Sequence, residues 1–272
     1  MDKKNLLISF SGGRTSGRML YYLYNEWAER FDWNMLTVFA NTGKEDEGTY
    51  KFIYDCMMRW NIPISWIEYQ PATKAGWGVN PKLVDYKTAS RNGEPFEEMI
   101  KLVGIPTTNA PFCSTILKAR TIKAYCRSLG FTKHYTAIGI RNDEIDRVNP
   151  HWAKERIIYP LISMIPTTKQ DIMDWWKFQG FDLIIDSDLG NCDCCWKKDL
   201  KRLQRIGVKS PEKFEWWQNM TDKYGSEIKR PSQANLKPPF NFYRGNLSPQ
   251  QIISGEHKIE KPNHCSESCE PF

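Results

Sequence analysis

A glycine-rich turn near the N-terminus is the part of this sequence best suited to bind an anion. An apolar run, Leu6–Phe10, ends in a turn that we call the glycine loop, Ser11–Ser16 with the sequence SGGRTS, and a helical pattern begins at once. Glycine lets a backbone approach an anion closely, and a helix N-terminus attracts negative charge. The loop lacks the Gly-Lys-Ser/Thr ending of a Walker P-loop. It predicts a phosphate-binding turn; the alternative is a tight strand-to-helix turn without a ligand.

The cysteines indicate a second site, because the chain has eight of them and several are clustered. Cys192 and Cys195 have the C-x-x-C spacing with which two thiolates bind one metal ion or iron–sulfur cluster. Cys113 precedes a predicted helix, whose N-terminus favours the thiolate. Cys265 and Cys269 form a C-x3-C pair near the end of the chain. The pattern predicts an iron–sulfur cluster or a zinc site; the alternative is a set of core thiols without a metal.

The elements that position these residues follow a regular order. Strand-like runs at Leu6–Phe10, Met35–Phe39 and Ile64–Glu68 are separated by helical patterns. This order predicts an α/β fold with a doubly wound, Rossmann-like parallel sheet and helices on both faces. Further along, the sequence predicts an irregular loop with short helices over 70–108, a helix over Ser114–Leu129, a strand at Tyr135–Ile140, a helix from Lys169 to Phe178, weaker strands at Ile157–Leu161 and Leu183–Ile185, and helical structure over Asp199–Tyr224.

Composition divides the chain into two parts and limits its partners. Prolines interrupt the sequence from Lys229 onward, so we expect a main domain over 1–228 and an extended, Cys-containing C-terminal arm over 229–272. The net charge of +6 suits an anionic ligand such as a nucleotide and does not establish nucleic-acid binding. The sequence has neither a signal-peptide pattern nor an apolar stretch of membrane-spanning length. A cytoplasmic protein without a membrane partner is therefore expected.

Polar clusters follow three of the predicted strands. The glycine loop follows the first strand, Asn41–Glu45 the second, and Arg141–Glu144 with Arg147 the fourth. Ligands of doubly wound sheets bind at the carboxyl ends of the strands, so we expect the three clusters to share one site. The alternatives are ordinary turn formers at Asn41 and Thr42, and a surface ion-pair cluster around Arg141.

Several motifs that occur in order resemble those of one family. They are SFSGGRTS at Ser9–Ser16, FANTGKE at Phe39–Glu45, PFCSTILKAR at Pro111–Arg120, GIRNDEIDR at Gly139–Arg147, YPL at Tyr159–Leu161 and GNCDCCWKK at Gly190–Lys198. Together they resemble the phosphoadenosine phosphosulfate (PAPS) reductase-like family. This family belongs to the HUP-type adenine nucleotide alpha-hydrolase superfamily, with the N-type ATP pyrophosphatases. The likeness is nearest to short phage and bacterial members and to sulfur-transfer enzymes of DNA phosphorothioation.

The resemblance implies an adenine nucleotide, ATP or PAPS, bound at a PP-loop in the main domain. The residues implied to bind it are Ser11, Gly12, Gly13, Arg14, Thr15, Ser16, Phe39, Ala40, Asn41, Thr42, Lys118, Gly139, Arg141 and Arg147. Of these, Phe39–Thr42 would lie along the adenosine, and the arginines after Ile140 would neutralise phosphate charge. Glu144 would orient those arginines or help to hold Mg²⁺. Catalytic roles are implied for Arg141, Glu144, Cys265 and Cys269.

The resemblance also implies a [4Fe–4S] cluster, with zinc as the alternative. Its ligands would be Cys113, Cys192, Cys195 and a fourth cysteine, for which we select Cys265, with Cys269 and Cys194 as alternatives. The chain departs from the family in three ways: Thr15 stands where ATP pyrophosphatases usually carry Asp; the C-terminal cysteines lack the Glu-Cys-Gly-Leu/Ile-His motif of sulfonucleotide reductases; and Cys113 stands where cluster-binding reductases have an adjacent Cys-Cys pair.

These departures leave three functions open. The first is an enzyme of sulfur transfer that uses a nucleotide and releases pyrophosphate, with ATP slightly favoured. The second is a thiol-dependent reductase that converts PAPS or APS to sulfite. The third is a non-catalytic nucleotide-binding subunit of a DNA-modification or defence complex. The partners left open are a sulfur donor or a thioredoxin-like reductant, a nucleic acid, and a second copy of the chain in a homodimer.

Overall fold

A six-stranded sheet organises the described part of the chain, which in this computed structural model comprises residues 3–28, 32–72, 78–107 and 110–256. The strands are β1 (Asn5–Ser9), β2 (Asn34–Asn41), β3 (Ser65–Pro71), β4 (Val79–Val84), β5 (Tyr135–Ala137) and β6 (Ile157–Ile158). Their order is β4-β3-β2-β1-β5-β6, and β4 is antiparallel to β3 while the other neighbours are parallel. The chain is therefore an α/β protein with a mostly parallel sheet, as predicted.

Helices lie between these strands in the chain and after the last of them, β6. They are α1 (Arg14–Tyr22), α2 (Glu47–Trp60), α3 (Glu94–Val103), α4 (Thr121–Ser128), α5 (Pro160–Ser163), α6 (Lys169–Trp176), α7 (Leu200–Lys209), α8 (Glu215–Tyr224) and α9 (Pro249–Ser254). Of these, α1 to α4 lie between strands, and α5 to α9 follow β6. A π-helical turn, Leu23–Trp27, extends α1, and another π-helical stretch, Cys113–Arg120, leads into α4. None of the helices in the described ranges is long and apolar enough to cross a membrane.

The central strands contribute side chains to two separate buried clusters. Leu6 and Ile8 of β1 lie in a cluster with Met19 of α1. Leu7, between them, lies in another cluster with Ile122 of α4. Successive side chains of a strand point to opposite faces of a sheet. Helical residues therefore pack against both sets of strand side chains, and the sheet fixes the positions of the loops at its carboxyl edge.

A further buried cluster lies beside the sheet. It joins α3, the C-x-x-C region, α7, α8 and α9. Phe242 and Ile252, from the predicted C-terminal arm, are fully buried in this cluster. The described part of the arm, up to residue 256, is thus packed against the rest of the chain. The domain boundary at residue 228 stays a prediction.

Two local predictions are wrong. The segment 70–108, expected to be an irregular loop with short helices, contains the helix α3 but also the strand β4, which was not predicted. Pro81 argued against a strand in this part of the sequence, but proline is tolerated in an edge strand such as β4. The weak strand expected at Leu183–Ile185 is absent from the described residues. Ile184 is largely exposed, and the Leu183 carbonyl accepts a hydrogen bond from Arg14 instead of a strand neighbour.

Candidate functional site

A cavity of about 270 Å³ lies at the carboxyl edge of the sheet. It is located beside β1 and β5, where the order of the strands reverses, since the chain first adds strands on the β2 side of β1 and later on the β5 side. Such reversal points are the usual ligand sites of open α/β sheets. The predicted site residues that line the cavity are Ser11, Gly12, Gly13, Arg14, Thr15, Ser16, Gly139, Arg141, Glu144 and Cys195.

The glycine loop forms one wall of this cavity. Gly12 has a φ of +78°, and a Cβ atom there would lie 2.8 Å from Cδ1 of Ile53, so the turn needs glycine. The Ser16 hydroxyl bonds to the Gly13 carbonyl at 3.0 Å and to the Ser11 hydroxyl at 3.0 Å. After the loop, α1 begins at Arg14, and the first N–H groups of a helix have no partner inside the helix. The loop therefore presents N–H donors beside the cavity.

The Arg14 side chain has a structural role in the described fold. Its guanidinium binds both carboxylate oxygens of Asp182, at 2.7 and 2.9 Å, and the Leu183 carbonyl at 2.6 Å. The Trp176 indole N–H donates to the Arg14 carbonyl at 3.0 Å. These contacts attach the 182–183 segment to the start of α1. Arg14 lines the cavity as predicted, but its charge is already paired.

Arg141 and Glu144 form another part of the cavity wall, where Arg141 contacts the start of α1. The Arg141 guanidinium donates to Asp143 at 2.9 Å and to the Thr15 hydroxyl at 3.2 Å. Glu144 lies 3.4 Å from Arg141 and 2.7 Å from Arg147. Arg141 is 8% exposed. Both Arg141 and Glu144 line the cavity, whereas Arg147 does not. Arg147 therefore acts on the cavity through Glu144.

The loop after β2 is built as an internal network. The Asn41 amide donates to Glu68 at 2.7 Å, and its oxygen accepts from the Tyr50 hydroxyl at 3.0 Å. The Glu45 carboxylate accepts from the Thr42 hydroxyl at 2.8 Å and from the Thr42 N–H at 3.1 Å. Burial, followed by the nearby Glu45 charge, raises the Tyr50 pKa far above its ordinary value. These polar groups are satisfied within the protein, so they hold the loop in shape.

Several residues of the predicted nucleotide site are therefore not part of the cavity wall. Among the described residues, those that the resemblance assigns to the nucleotide and that do not line the cavity are Phe39, Ala40, Asn41, Thr42, Lys118 and Arg147. Phe39 and Ala40 are buried residues of β2 and lie in clusters on opposite faces of the sheet. Their assignment to the adenosine stays a prediction.

Residues Cys192–Lys198, which we call the cysteine segment, are anchored to the loop after β2. Asp193 donates its N–H to the Lys44 carbonyl at 2.8 Å, and its carboxylate forms a 3.0 Å ion pair with the Lys44 ammonium. The same carboxylate accepts from the Trp217 indole N–H at 2.8 Å. The Tyr243 hydroxyl donates to the Cys194 carbonyl at 3.2 Å. This buried network holds the segment against both the sheet edge and the C-terminal elements.

The cysteines of the segment differ in environment. Cys195 lines the cavity. Cys194 is fully buried, and burial, followed by the Asp193 charge, raises its pKa well above the ordinary value. The Cys192 sulfur lies 3.3 Å from the Thr42 hydroxyl. Of the three cysteines, Cys195 thus lines the cavity, while all three are buried.

The predicted metal ligands do not form a complete site in the part of the chain that the structure describes. There, no group of three or more His, Cys, Asp or Glu side chains is placed to hold a metal ion. Cys113, Cys192 and Cys195 belong to one buried cluster but do not fit a metal on their own. Cys265 and Cys269 lie outside the described residues. The iron–sulfur cluster and the zinc alternative stay predictions, and we derive no step through them.

Other cavity residues were missed at the sequence level. Lys169, at the start of α6, and the pair Lys197 and Lys198, in the cysteine segment, line the cavity. An apolar wall is formed by Ile172, Met173, Leu183, Ile185 and Leu189. The lysine pair belongs to the motif GNCDCCWKK, in which only cysteines were predicted to be functional. The spacing of these apolar wall residues in the sequence does not distinguish them from residues of the protein core.

A relative from a phage supports a common fold and ancestry for this arrangement. The "Uncharacterized nin region protein ORF290" of Escherichia phage lambda is 32% identical to the chain, over 98% of the chain and 94% of its own length. The chain belongs to the family of this lambda protein. The chain is also similar to the "Uncharacterized protein MJ0066" of Methanocaldococcus jannaschii, which is 23% identical to it over 83% of the chain. The chain spans 43% of that protein's length. It matches none of the known protein-family models.

Proposed function

We propose that this member of the ORF290 family is a PAPS reductase-like enzyme that binds an adenine nucleotide and acts in sulfur transfer. The observation that carries the proposal is the cavity in which the glycine loop and Arg141 meet. Backbone N–H groups at a helix N-terminus and a guanidinium are the donors with which proteins bind phosphate. The proposal includes a doubly wound, Rossmann-like arrangement of the sheet, with the cavity at its switch point, and a cytoplasmic location.

The apolar wall supports a nucleotide over a simple phosphate. Ile172 and Met173 of α6 line the cavity together with Leu183, Ile185 and Leu189. Ligand cavities combine such apolar surface with a few polar groups that fix orientation. In our proposal the glycine loop and Arg141 bind the phosphates, and the apolar wall contacts the nucleoside.

The proposed reaction with ATP is an adenylyl transfer followed by sulfur transfer. An oxygen atom of the acceptor substrate attacks the α-phosphorus, the bond from that phosphorus to the bridging oxygen of the β-phosphate breaks, and pyrophosphate leaves. A sulfur nucleophile then displaces AMP together with that oxygen. Arg141 stabilises negative charge as it develops on the phosphates. Glu144, between two arginines, keeps Arg141 oriented.

Product analysis tests this proposal. Anaerobically purified protein is incubated separately with ATP and with PAPS, and pyrophosphate and sulfite are measured. With water in place of the acceptor oxygen, we expect AMP and pyrophosphate from ATP, and we expect Arg141→Ala to abolish this reaction while the protein stays folded. Pyrophosphate formation that persists in Arg141→Ala would contradict the proposal.

The position of Cys195 favours a second candidate, the thiol-dependent reductase. Cys195 lines the cavity and therefore lies on the side from which a thiolate reaches a bound sulfonucleotide. Its signature is sulfite from PAPS. The contact between Thr15 and Arg141, formed where ATP pyrophosphatases carry an acidic residue, favours the third candidate, a nucleotide-binding subunit without its own catalysis. For that candidate, nucleotide binds and neither product appears.

A further inference from the structure

The cavity has a second group of positive charges, on the cysteine segment. Lys197 and Lys198 both line the cavity. The Lys198 ammonium donates to the Gly190 carbonyl at 2.6 Å, and the Lys197 ammonium donates to the Ser114 hydroxyl at 2.8 Å. Both acceptors are neutral. Within the described residues, neither ammonium forms an ion pair with a carboxylate.

Burial makes the charge of Lys198 unusual. Lys198 is only 6% exposed. A buried charge is costly unless an opposite charge pairs with it, and lysine is rarely buried without such a partner. Other buried cations near the cavity follow this rule, since Arg141 is paired with Asp143 and Lys44 with Asp193. Lys198 therefore has the environment of a group whose counterion is a ligand.

The charges that line the cavity also indicate an anionic ligand. Six cationic side chains of the described chain line the cavity, against two carboxylates, Glu144 and Asp186. Arg14 and Arg202 have carboxylate partners at Asp182 and Asp188. The lysine pair has none among the described residues, so two of these positive charges, both on the cysteine segment, lack a carboxylate partner.

The two cationic groups are carried by segments that are attached to different strands. Arg141 follows β5 and contacts Thr15. The cysteine segment is hydrogen-bonded to the loop after β2, through Asp193 and Lys44. Because β2 and β5 are the two neighbours of β1, these strands are roughly 10 Å apart, twice the usual strand spacing. The segments that carry Arg141 and the lysine pair are therefore attached to the sheet on either side of β1.

We propose that Lys197 and Lys198 form a second anion subsite, which binds a tetrahedral oxyanion, phosphate or sulfate, separate from the phosphate group held at the glycine loop. The inference rests on the proposed nucleotide site and adds a requirement to its ligand. The ligand either carries two separated anionic groups, or it shares the cavity with an anionic co-substrate. Cys195 lies beside the lysine pair in the sequence and on the same cavity, so the second anion is bound next to a thiol.

Nucleotide binding measured by calorimetry tests the subsite. The probes are AMP, adenosine 3′,5′-bisphosphate, and AMP in the presence of sodium sulfate, at constant ionic strength. We expect wild-type protein to bind the bisphosphate at least tenfold more tightly than AMP if the second anion is part of the nucleotide. If it is a separate co-substrate, we expect sulfate to tighten AMP binding by a similar factor. In Lys198→Met the preference disappears, and the affinity for AMP alone changes less than twofold.

Matched variants separate binding from folding. Lys198→Arg should restore the preference because it keeps the charge, and Lys201→Met, on the exposed side of α7, should leave it unchanged. If Lys198→Met does not fold, Lys197→Met gives the same test at a less buried position. Equal loss of AMP and bisphosphate binding in the lysine variants would overturn the subsite. Wild-type protein that binds AMP through Arg141 without any second-anion preference would also overturn it, while the proposed function would stand. Binding of neither nucleotide would refute both.

Discussion

The glycine loop and the cysteine segment meet at one cavity but are stabilised in different ways. The glycine loop is shaped by backbone conformation at Gly12 and by hydroxyl contacts of Ser16, and it presents backbone N–H groups to the cavity. The cysteine segment is held by a buried charge pair, Lys44 with Asp193. One region is thus fixed by local geometry, the other by contacts between residues far apart in the chain. We infer that substitutions in the two regions reduce stability for different physical reasons.

The difference also separates two kinds of motif. In the glycine loop the conspicuous residues themselves line the cavity. In the cysteine segment only Cys195 of the conspicuous C-x-x-C pair lines the cavity, Cys192 does not, and the less conspicuous Lys198 does. A sequence motif therefore locates a functional region more reliably than it ranks the residues within that region.

Among the substitutions that test this comparison, removal of the Asp193 carboxylate should lower the free energy of unfolding most. Asp193→Ala leaves the buried Lys44 ammonium and the Trp217 indole N–H without their acceptor. Breaking a buried ion pair by removing one partner costs about 3–5 kcal/mol. We expect the free energy of unfolding in urea to fall by about that amount.

A second substitution serves as the control for this prediction. Lys44→Met combined with Asp193→Ala removes both charges, so it should recover part of the lost stability. A loss below about 1 kcal/mol in Asp193→Ala, which is typical of exposed ion pairs, would show that the charge pair does not anchor the cysteine segment.

The glycine loop should be most sensitive at Gly12. In Gly12→Ala the left-handed conformation costs about 1–2 kcal/mol, and the new Cβ would crowd Ile53 and Thr49 at 2.8 and 2.9 Å. With an overpacking cost of about 1–3 kcal/mol, we expect a total loss of roughly 2–5 kcal/mol in urea unfolding.

The neighbouring glycine supplies the matched control. Gly13 has an extended backbone, and its nearest contact for a Cβ is the Ser11 hydroxyl at 3.9 Å. Gly13→Ala should therefore cost about 1 kcal/mol or less, mainly through its position at the helix N-cap. Equal losses in the two variants would mean that backbone conformation does not shape the loop.

Much of the fold and part of the site could be predicted from sequence, for physical reasons that differ between residues. The apolar runs of β1, β2 and β3 and the glycine turn are local patterns, and they led directly to the parallel sheet and to the cavity wall at Ser11–Ser16. The buried contacts of Asp193 with Lys44 and Trp217 join residues that no local pattern connects. The edge strand β4 was not predicted because it contains Pro81. Proline is tolerated in a strand at the edge of a sheet, and the local sequence does not show that β4 has this position.

Nucleotide affinity should distinguish residues of the cavity wall from residues assigned by resemblance alone. Arg141 lines the cavity, whereas Lys118 does not. Hydrogen bonds to charged groups contribute about 1.5–3 kcal/mol, so Arg141→Ala should weaken ATP binding by roughly tenfold to a hundredfold. Lys118→Ala should change the dissociation constant less than twofold. If Lys118→Ala has the larger effect, the nucleotide does not bind in this cavity.

The smallest expected effect is on the rate at which cysteines react. It compares Cys195 with the buried thiols of Cys194, in the same segment, and Cys126, outside it. Cys195 lines the cavity, whereas burial raises the Cys194 pKa, and burial raises the pKa of Cys126 to about 11. The thiolate is the reactive form, so at pH 8 these two raised pKa values leave almost all of Cys194 and Cys126 protonated and slow. We expect iodoacetamide to modify Cys195 before either of them, as measured by peptide mass spectrometry. ATP at ten times its dissociation constant should slow Cys195 modification about tenfold, because bound protein is shielded. Modification of Cys194 as fast as Cys195, or a Cys195 rate that ignores nucleotide, would mean that the cysteine segment does not turn its reactive thiol toward the nucleotide.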